Sequence, residues 1–189
     1  ALLADDMGLG KTLQAIALLL YLSEEGYLVN ESGEPTPALV VVPPGLLANW
    51  QREFVKWAGS LRIHLYHGQG RKLPKLTGRA GPADVILTTY QVLLGVVRSD
   101  RAKLSDPRTV AFSCMVIDEA QNIKNHGAQV TQAVKEVGNA IGHTRVALSG
   151  TPIENKVEEL HSIFDFVNYG YLGDRAAFLR DFSKFIEQR

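Results

Sequence analysis

The residues with the clearest chemical potential stand at positions 7–12, which read Met-Gly-Leu-Gly-Lys-Thr between an apolar run and a helical pattern. Gly8 and Gly10 carry no Cβ and so allow backbone N–H groups to approach a phosphate closely. Lys11 would reach the β- and γ-phosphates of a nucleotide, and Thr12 would place its hydroxyl on Mg²⁺. A helix that begins at Lys11 would add its positive N-terminal dipole end. The segment therefore predicts a phosphate-binding P-loop.

The match to the P-loop pattern G-x-x-x-x-G-K-[ST] is imperfect, because Asp5 occupies its first position. Taken alone, the segment can also be a glycine-rich strand-to-helix turn followed by an ordinary surface lysine. A Rossmann dinucleotide loop is disfavoured, because Leu13 stands where its third glycine would be. The residues predicted to surround the phosphates are Asp5, Met7, Gly8, Leu9, Gly10, Lys11 and Thr12.

Two adjacent carboxylates follow the apolar run Cys114–Ile117 and would complete a P-loop site. If this run is a strand, it delivers Asp118 to the carboxyl edge of a sheet, where the ligands of open α/β sheets bind. Asp118 would hold Mg²⁺, and Glu119 would orient or polarise the attacking water. Two solvated carboxylates that begin a helix are the alternative, and the upstream P-loop disfavours it.

A sharp turn with small hydroxyl residues follows the apolar run at 145–148. Ser149, Gly150 and Thr151 would lie at the same sheet edge as the carboxylates, where they can hydrogen-bond the carboxylate strand or the phosphate region. A plain Ser-Gly-Thr-Pro turn is the alternative when this segment is considered alone.

The elements that must position these residues alternate between short β-rich runs and helical periodicities. The predicted strands occupy residues 1–4, 39–42, 62–66, 85–88, 114–117 and 145–148. Several are continuous apolar runs, which is typical of a parallel sheet buried on both faces. Apolar residues with helical spacing are Leu13, Ile16, Ala17 and Leu20; Leu47, Trp50, Phe54 and Trp57; Val130, Ala133, Val134 and Val137; and Val157, Leu160, Phe164 and Val167. The pattern predicts an α/β fold of βαβ units with helices on both faces of the sheet.

Three further segments carry structural predictions. Residues 24–37 and 68–82 are rich in glycine and proline, so both are expected to be loops, the first a mobile connection. Residues 174–189 read as a helical tail. Trp50 and Trp57 are predicted to be core residues on one helix face rather than platforms for stacked bases.

Composition excludes several classes of protein. The chain has 189 residues with twenty Lys and Arg against twenty Asp and Glu, so it is not a polybasic, histone-like binder of nucleic acid. A hydrophobic fraction of 46% excludes an acidic disordered segment. Cys114, the single cysteine, lies in an apolar run, which predicts a buried thiol and a reducing, intracellular setting. No apolar stretch approaches the ~20 residues of a membrane span, and the five histidines lack zinc spacing, which favours surface or packing roles.

A stretch of local positive charge interrupts the overall balance. Residues 54–83 contain six basic residues and no acidic ones. A solvated loop is the default interpretation, and contact with DNA phosphates is the alternative, because backbone binding needs such side chains.

Together these segments resemble the Swi/Snf-related ATPases, which are double-stranded-DNA translocases of helicase superfamily two. Residues 4–12 are similar to motif I of that family, in which Asp5 rather than Gly is usual, although Asp6 replaces the usual Glu. The other resemblances are 41–54 with motif Ia, 88–90 with motif Ib, 118–121 with the DEAH/DEAQ box of motif II (extended by 122–125), and 148–155 with motif III. The resemblance covers residues 1 to about 182, and five motifs in order make it specific.

The resemblance implies a RecA-like lobe that binds ATP and Mg²⁺ and belongs to a motor that translocates on duplex DNA and remodels protein–DNA complexes. It implies no membrane partner. Gln121 and Thr151, with Ser149 and Gly150, would couple the nucleotide state to DNA contacts. The residues implied to lie near the DNA backbone are Pro44, Asn49, Thr89 and Tyr90.

Members of that family also carry an adenine-recognition element before motif I and a second RecA-like lobe with an arginine finger. We therefore expect this chain, residues 1–189, to be the first lobe of a larger enzyme, with 174–189 leading to the second lobe. An arginine finger contributes roughly 10³–10⁵ in rate, so negligible DNA-stimulated ATPase is expected of the isolated lobe. The expected location is the cytoplasm or nucleoid of a prokaryote, or the nucleus of a eukaryote.

Two other functions stay open at this point. One is another P-loop enzyme, such as a kinase, which would need a pocket for an acceptor substrate. The other is a degenerate interaction module that does not hydrolyse nucleotide, against which the intact Lys11, Asp118 and Glu119 argue.

Overall fold

Six short strands form the sheet on which the functional residues are placed. The computed structural model describes residues 1–71, 83–99, 111–141, 144–153 and 157–183. The strands are β1 (Leu2–Leu3), β2 (Ala38–Val42), β3 (Ile63–Leu65), β4 (Val85–Thr89), β5 (Cys114–Ile117) and β6 (Thr144–Leu148). Their order across the sheet is β1-β6-β5-β2-β4-β3, and every pairing between them is parallel. The predicted α/β fold with a parallel sheet is confirmed.

The three central strands are buried along their whole length. In β2, β4 and β5 the side chains on both faces are covered, which is why these runs are continuously apolar rather than alternating. Val41 pairs with Ile117 on one side and with Thr88 on the other. Because all strands of a parallel sheet run in the same direction, their carboxyl ends meet at one edge. The residues that follow each strand therefore lie along that edge.

Helices cover both faces of the sheet, as predicted. They are α1 (Lys11–Glu24), α2 (Leu47–Trp57), α3 (Tyr90–Ser99), α4 (Gln129–Ala140), α5 (Val157–Val167) and α6 (Arg175–Phe178). Short 3-10 turns occupy Pro44–Leu46 and Ala120–Ile123, and a π-helical turn occupies Leu179–Ser183. Residues of α1 and α2 share one hydrophobic cluster, and those of α3, α4 and α5 share the other. The two clusters lie on opposite faces of the sheet, because the strand residues that join them alternate along β2 and β4.

The helix predictions are partly wrong in phase. In α1 the buried residues are Ala15, Ile16 and Leu19, whereas Leu13 is exposed and so is Ala17. The helix is apolar around most of its circumference, so spacing alone does not select the buried side. The face predicted for α4 is confirmed at its three inner positions.

Two more differences concern α3 and α5. Helix α3 was not predicted at all. In α5 the buried side consists of Val157, His161, Ser162, Ile163 and Phe166, while Leu160, Phe164 and Val167 are half-buried. The inward face of α5 includes polar residues whose partners lie on other elements, and an apolar periodicity cannot identify such residues.

The two tryptophans differ from each other. Trp50 is fully buried, as predicted, but Trp57 is 47% exposed, so its assignment to the core is wrong. Its Nε1 donates to Glu53 Oε2 at 2.9 Å, and the Lys56 ammonium lies 4.5 Å from its ring centre. Cys114 is buried as predicted, and burial raises the pKa of its thiol to about 12.

The connections match the predicted loops where the structure describes them. Residues 25–37 fold around Asn30, whose Oδ1 accepts from the backbone N–H groups of Ser32 and Glu34 at 3.0 and 2.8 Å. In the tail, the Asp174 carboxylate caps α6 by accepting from Ala176 N and Ala177 N. Most of the predicted loop 68–82, with Lys72, Lys75 and Arg79, and the end of the tail lie outside the described residues. Within the described ranges, no helix has the length and apolar character needed to cross a membrane.

Candidate nucleotide-binding site

The glycine-rich loop connects β1 to α1 at the carboxyl edge of the sheet. Gly8 and Gly10 have positive φ angles of 85° and 79°, a backbone conformation that residues with a Cβ rarely adopt. A Cβ built on either glycine meets no atom within 4 Å. Glycine is thus required here by the backbone conformation, and the space in front of the loop is open for a ligand.

Side chains from α1 fold back onto this loop. Lys11 Nζ donates to the carbonyl oxygens of Asp5 and Asp6 at 2.6 and 2.9 Å. Gln14 Nε2 lies 3.4 Å from both Asp5 Oδ2 and Leu9 O. These contacts hold the ammonium group at the mouth of the loop, next to the N-terminus of α1.

The carboxylate of Asp118 is held from two directions at the end of β5. Asp118 is only 7% exposed. Trp50 Nε1 donates to Asp118 Oδ2 at 2.8 Å, and Glu119 N donates to Oδ1 at 2.8 Å. Tyr90 OH donates to the Asp118 carbonyl oxygen at 2.6 Å. Burial raises the pKa of Asp118, and the hydrogen bonds from Trp50 and Glu119 N, together with the Lys11 charge, oppose that rise.

Glu119 occupies an unusual backbone conformation. Its φ of 51° is the only positive value at a non-glycine position among the described residues. Such strain costs of order 1–3 kcal/mol and is found where a side chain must be aimed at a functional site. Glu119 Oε2 accepts from Gln121 Nε2 at 2.7 Å.

A hydrogen-bonded series continues from Glu119 to the end of β6. Ser149 Oγ donates to Gln121 Oε1 at 3.0 Å and accepts from Thr151 N at 3.1 Å. Because β5 and β6 are neighbours in the sheet, the series links the turns that follow both strands. Gly150 completes the contact with the phosphate loop, since a Cβ there would lie 3.0 Å from Met7 Cγ and 3.8 Å from Lys11 Nζ.

One cleft contains both halves of the predicted site. Its volume is about 470 Å³, and it opens between the glycine loop, the start of α2 and the end of β5. The predicted residues that line it are Met7, Gly8, Gly10, Lys11, Thr12, Asn49, Asp118, Glu119 and Gly150. Glu53, Lys56 and Trp57 extend it along α2, and Leu13 and Leu46 also line it. The tertiary structure therefore brings the P-loop and the acidic pair together.

The residues present fit a nucleotide with a magnesium ion. The open glycine loop, the Lys11 ammonium and the N-terminus of α1 suit an anionic phosphate chain. The Thr12 hydroxyl and the Asp118 carboxylate line the same cleft, and oxygen donors are what Mg²⁺ prefers. Within the described ranges, no three His, Cys, Asp or Glu side chains form a complete metal cage.

The four residues implied to contact DNA divide into two pairs. Thr89 and Tyr90 are 0% and 1% exposed, so their side chains present almost no surface to DNA, and a position of these two residues near the DNA backbone stays a prediction. Thr89 Oγ1 accepts from Val92 N at 3.3 Å, and Tyr90 OH is bound to the Asp118 carbonyl. Burial, followed by the charges of Asp118 and Glu119, raises the pKa of Tyr90 well above its ordinary value. Pro44 is exposed, and Asn49 is half-buried at the cleft.

Two contributors to the site were not anticipated from the sequence as part of it. Trp50 was predicted as a core residue only, and Tyr90 as a DNA contact. An indole or phenol that is buried usually finds a hydrogen-bond partner, which is a signal for a polar contact but does not identify the partner. Asp118 is 68 residues away from Trp50 in the chain.

Known proteins are similar to this chain in sequence and in fold. The model of the SNF2-related domain family matches residues 1–189. The structure of the Sulfolobus solfataricus SWI2/SNF2 ATPase core in complex with double-stranded DNA is 43% identical, with a TM-score of 0.79, over 99% of this chain and 35% of that chain.

Curated relatives extend the same similarity. A putative ATP-dependent helicase/translocase of Bacillus subtilis, YwqA, is 42% identical over 94% of this chain. The TATA-binding protein-associated factor MOT1 of Saccharomyces cerevisiae is 38% identical over 97% of it. The chain spans 18% and 10% of the length of these two relatives. A family match over the whole chain, with a fold similarity at this level of identity, leads to one conclusion: the chain belongs to the SNF2-related domain family.

Proposed function

We propose that this chain is the ATP-binding lobe of a motor that hydrolyses ATP to translocate on double-stranded DNA. The observation that carries the proposal is the single cleft lined by both the glycine loop and the Asp118–Glu119 pair. The family's ATP-dependent helicases and the DNA-bound SWI2/SNF2 core support the choice of ATP and duplex DNA. A duplex partner and a single buried cysteine also favour an intracellular location.

In this proposal the glycine loop and Lys11 bind the phosphates, and Thr12 and Asp118 hold Mg²⁺. Mg²⁺ bound there would neutralise charge on the β- and γ-phosphates. Glu119 accepts a proton from the attacking water and orients it. Asp5, Met7 and Leu9 shape the loop around the phosphates.

The coupling roles fall to the turns after β5 and β6. Gln121 bonds to Glu119 and to Ser149, so a movement of the β6 turn changes the position of the Glu119 carboxylate. Gly150 and Thr151 extend this connection towards the loop and the protein surface. Pro44 and Asn49 remain our candidates for contact with the DNA backbone, since Pro44 is exposed in the turn before α2 and Asn49 is half-buried near the start of α2. A second RecA-like lobe would close the other side of the cleft, and DNA-bound proteins would be the objects that the motor displaces.

The test is ATP hydrolysis by the full protein with and without duplex DNA, compared among three variants. Lys11→Ala should weaken nucleotide binding and lower the stimulated rate by about 10²–10³-fold, because it removes the charge that meets the phosphates. Glu119→Gln should lower the rate by about 10²–10⁴-fold while nucleotide still binds, because the amide cannot take the proton.

The matched control is Glu25→Gln, which makes the same chemical change at an exposed position beyond the end of α1 and away from the cleft. It should hydrolyse ATP at the wild-type rate. The proposal would be refuted if duplex DNA did not change the rate of ATP hydrolysis by the wild-type protein. Full ATPase activity in the Glu119→Gln variant would also refute it. A kinase would reveal itself by transferring phosphate to an acceptor other than water.

A further inference from the structure

Trp50 is the largest fully buried side chain, and its one polar atom, Nε1, donates a hydrogen bond to Asp118. Trp50 lies in the first half of α2, and its Nε1 donates to Asp118 Oδ2 at 2.8 Å in a buried contact. A purely structural tryptophan needs only an acceptor of some kind, whereas this one binds the carboxylate that lines the nucleotide cleft.

The two oxygens of the Asp118 carboxylate are each occupied by one N–H donor. Oδ1 accepts from Glu119 N and Oδ2 from Trp50 Nε1, so rotation about the last side-chain bond would break both contacts. Each oxygen can accept a second bond or bind a metal-held water. The indole therefore sets the orientation of the carboxylate without blocking it.

The backbone of Asp118 is held in the same way from the other side of the sheet. Tyr90, the first residue of α3, donates its hydroxyl to the Asp118 carbonyl at 2.6 Å, and Asp118 N donates to Val41 O at 2.9 Å. The side chain of Asp118 thus depends on α2, and its main chain depends on α3 and β2.

The helix that carries Trp50 also carries an outer surface suited to a polyanion. Gln51, Arg52 and Lys56 are exposed on α2, and Lys and Arg side chains with amide groups are what bind nucleic-acid phosphates. Trp50 and Phe54 are buried at 0% and 1% exposure. A shift of α2 consequently moves Trp50, and with it one of the two donors to Asp118.

We propose that Trp50 and Tyr90 are positioning residues that hold Asp118 in its Mg²⁺-binding orientation and connect that orientation to the placement of α2 and α3. This inference rests on the proposed function, because it assigns Mg²⁺·ATP to the cleft. Partners that orient a metal-binding carboxylate typically change metal affinity or activity by about 10–100-fold when removed.

The test measures binding rather than turnover. A fluorescent, non-hydrolysable ATP analogue is titrated into the full protein at a series of Mg²⁺ concentrations and in excess chelator, with and without duplex DNA. Trp50→Phe keeps a buried ring but removes the N–H donor, and Tyr90→Phe removes only the hydroxyl. In Trp50→Phe the Mg²⁺ concentration for half-maximal tight binding should rise by about 10-fold or more, while binding in chelator is unchanged. Tyr90→Phe should shift it in the same direction by a smaller factor.

Phe54→Leu is the matched control for loosening of the core. Phe54 lies one turn further along α2, with its ring 5.7 Å from that of Trp50, and it donates nothing to Asp118. It should lower the unfolding temperature without moving the Mg²⁺ midpoint. If Trp50→Phe does not fold, the midpoint of Tyr90→Phe decides the question.

Wild-type Mg²⁺ midpoints in the folded variants would overturn the inference, as would an equal shift in Phe54→Leu. A duplex-induced change in nucleotide affinity that is lost in Trp50→Phe would support the connection through α2. The Mg²⁺ arm is independent of DNA. A wild-type protein that binds Mg²⁺·nucleotide but does not respond to duplex DNA would therefore refute the proposed motor function. The positioning role would still be decided by the Mg²⁺ midpoints of Trp50→Phe and Tyr90→Phe.

Discussion

Asp118 shows at the scale of one residue how a buried carboxylate opposes stability. It is buried and lies at the end of a fully apolar strand, and burial raises its pKa despite the donors from Trp50 and Glu119 N. The folded protein therefore holds the proton of this group to higher pH than the unfolded chain does. Stability falls as the pH rises through the ordinary pKa towards the raised one, so at neutral pH the ionised group costs free energy.

We predict that Asp118→Asn stabilises the protein while it abolishes activity. The amide has the same shape and carries no charge to desolvate, and the relief of that burial cost is set against one lost hydrogen bond, because its single oxygen accepts from Trp50 Nε1 or from Glu119 N but not from both. The free energy of unfolding should rise by about 1 kcal/mol, or roughly 2–4 °C in Tm. Thermal unfolding at neutral pH, measured beside nucleotide hydrolysis, provides both readouts.

Asp84→Asn is the opposite case and serves as the control. Burial would raise the pKa of Asp84, but hydrogen bonds from the Arg62 side chain and backbone N–H outweigh it and lower the pKa. Arg62 Nη2 lies 2.8 Å from Asp84 Oδ1. This variant should lose about 1 kcal/mol, and a loss of stability in Asp118→Asn as well would contradict the prediction.

At the scale of elements, the contact between α4 and α5 depends on a glycine. A Cβ on Gly138 of α4 would lie 2.8 Å from Phe166 Cε2 and 3.1 Å from Cδ2. Phe166 of α5 is fully buried, so its ring has no free space to enter. Sequence periodicity predicted both helices but could not show that their approach requires the absence of a side chain.

Gly138→Ala and Gly95→Ala should therefore have opposite signs. Alanine in a helix interior gains about 1 kcal/mol over glycine, and at Gly95 of α3 a Cβ meets no atom within 4 Å. At Gly138 overpacking costs about 1–3 kcal/mol, which exceeds that gain over most of this range. Chemical denaturation should show Gly95→Ala more stable than the wild type and Gly138→Ala less stable. If both substitutions changed the free energy of unfolding by the same amount, the Phe166 ring would have moved aside at no cost in free energy.

At the scale of the whole molecule, one polar cluster joins the segment after β5, α4, α5 and the turn before α6. Lys135 Nζ donates to Asp165 Oδ2 at 2.9 Å and lies 3.2 Å from His126 Nδ1. His126 Nε2 lies 3.2 Å from His161 Nδ1, and His161 Nε2 lies 3.1 Å from Gly173 O. Lysine can only donate, so one direction satisfies the whole series: both imidazoles are neutral and each donates from Nε2.

Proton uptake by this cluster should make stability depend on pH. Burial first, and then the charges of Lys135 and Arg175, lower the pKa of His126 to about 4 from 6.5, while Asp165 opposes the shift. The unfolded chain takes up this proton at about its ordinary pKa, and the folded chain does so only near 4. The stability contributed by the neutral form is fully present above pH 6.5. It is lost as the pH falls from 6.5 to about 4.

His126→Gln should reduce this pH dependence, because glutamine can accept from Lys135 and donate to His161 without titrating. The measurement is the denaturation midpoint as a function of pH, and the expected result is a shallower fall between pH 6.5 and 4 than in the wild type. His67→Gln, at an exposed position after β3, should follow the wild-type curve. A slope in His126→Gln as steep as that of the wild type would exclude the cluster as the cause.

Features encoded by short-range spacing could be predicted from the sequence. Every described strand overlaps a predicted one, and β5 has the predicted bounds, because a continuous apolar run of β-formers is a local signal. The glycine-rich loop could also be predicted from the sequence. Its backbone has positive φ angles at Gly8 and Gly10, and this conformation requires glycine at those two positions. Asp118 and Glu119 follow from their place directly after a buried strand.

Features that depend on which elements become neighbours required the tertiary structure. Trp50 and Tyr90 reach Asp118 across 68 and 28 residues, and Ser149 reaches Gln121 across 28. The same packing leaves Trp57 exposed and buries Thr89. Periodicity specifies that a helix has an apolar side but not which strand lies beneath it, and strand order decides that. The sequence by itself thus determined which residue types stand at the candidate site, and the packing of α2 and α3 on the sheet decided which side chains hold Asp118.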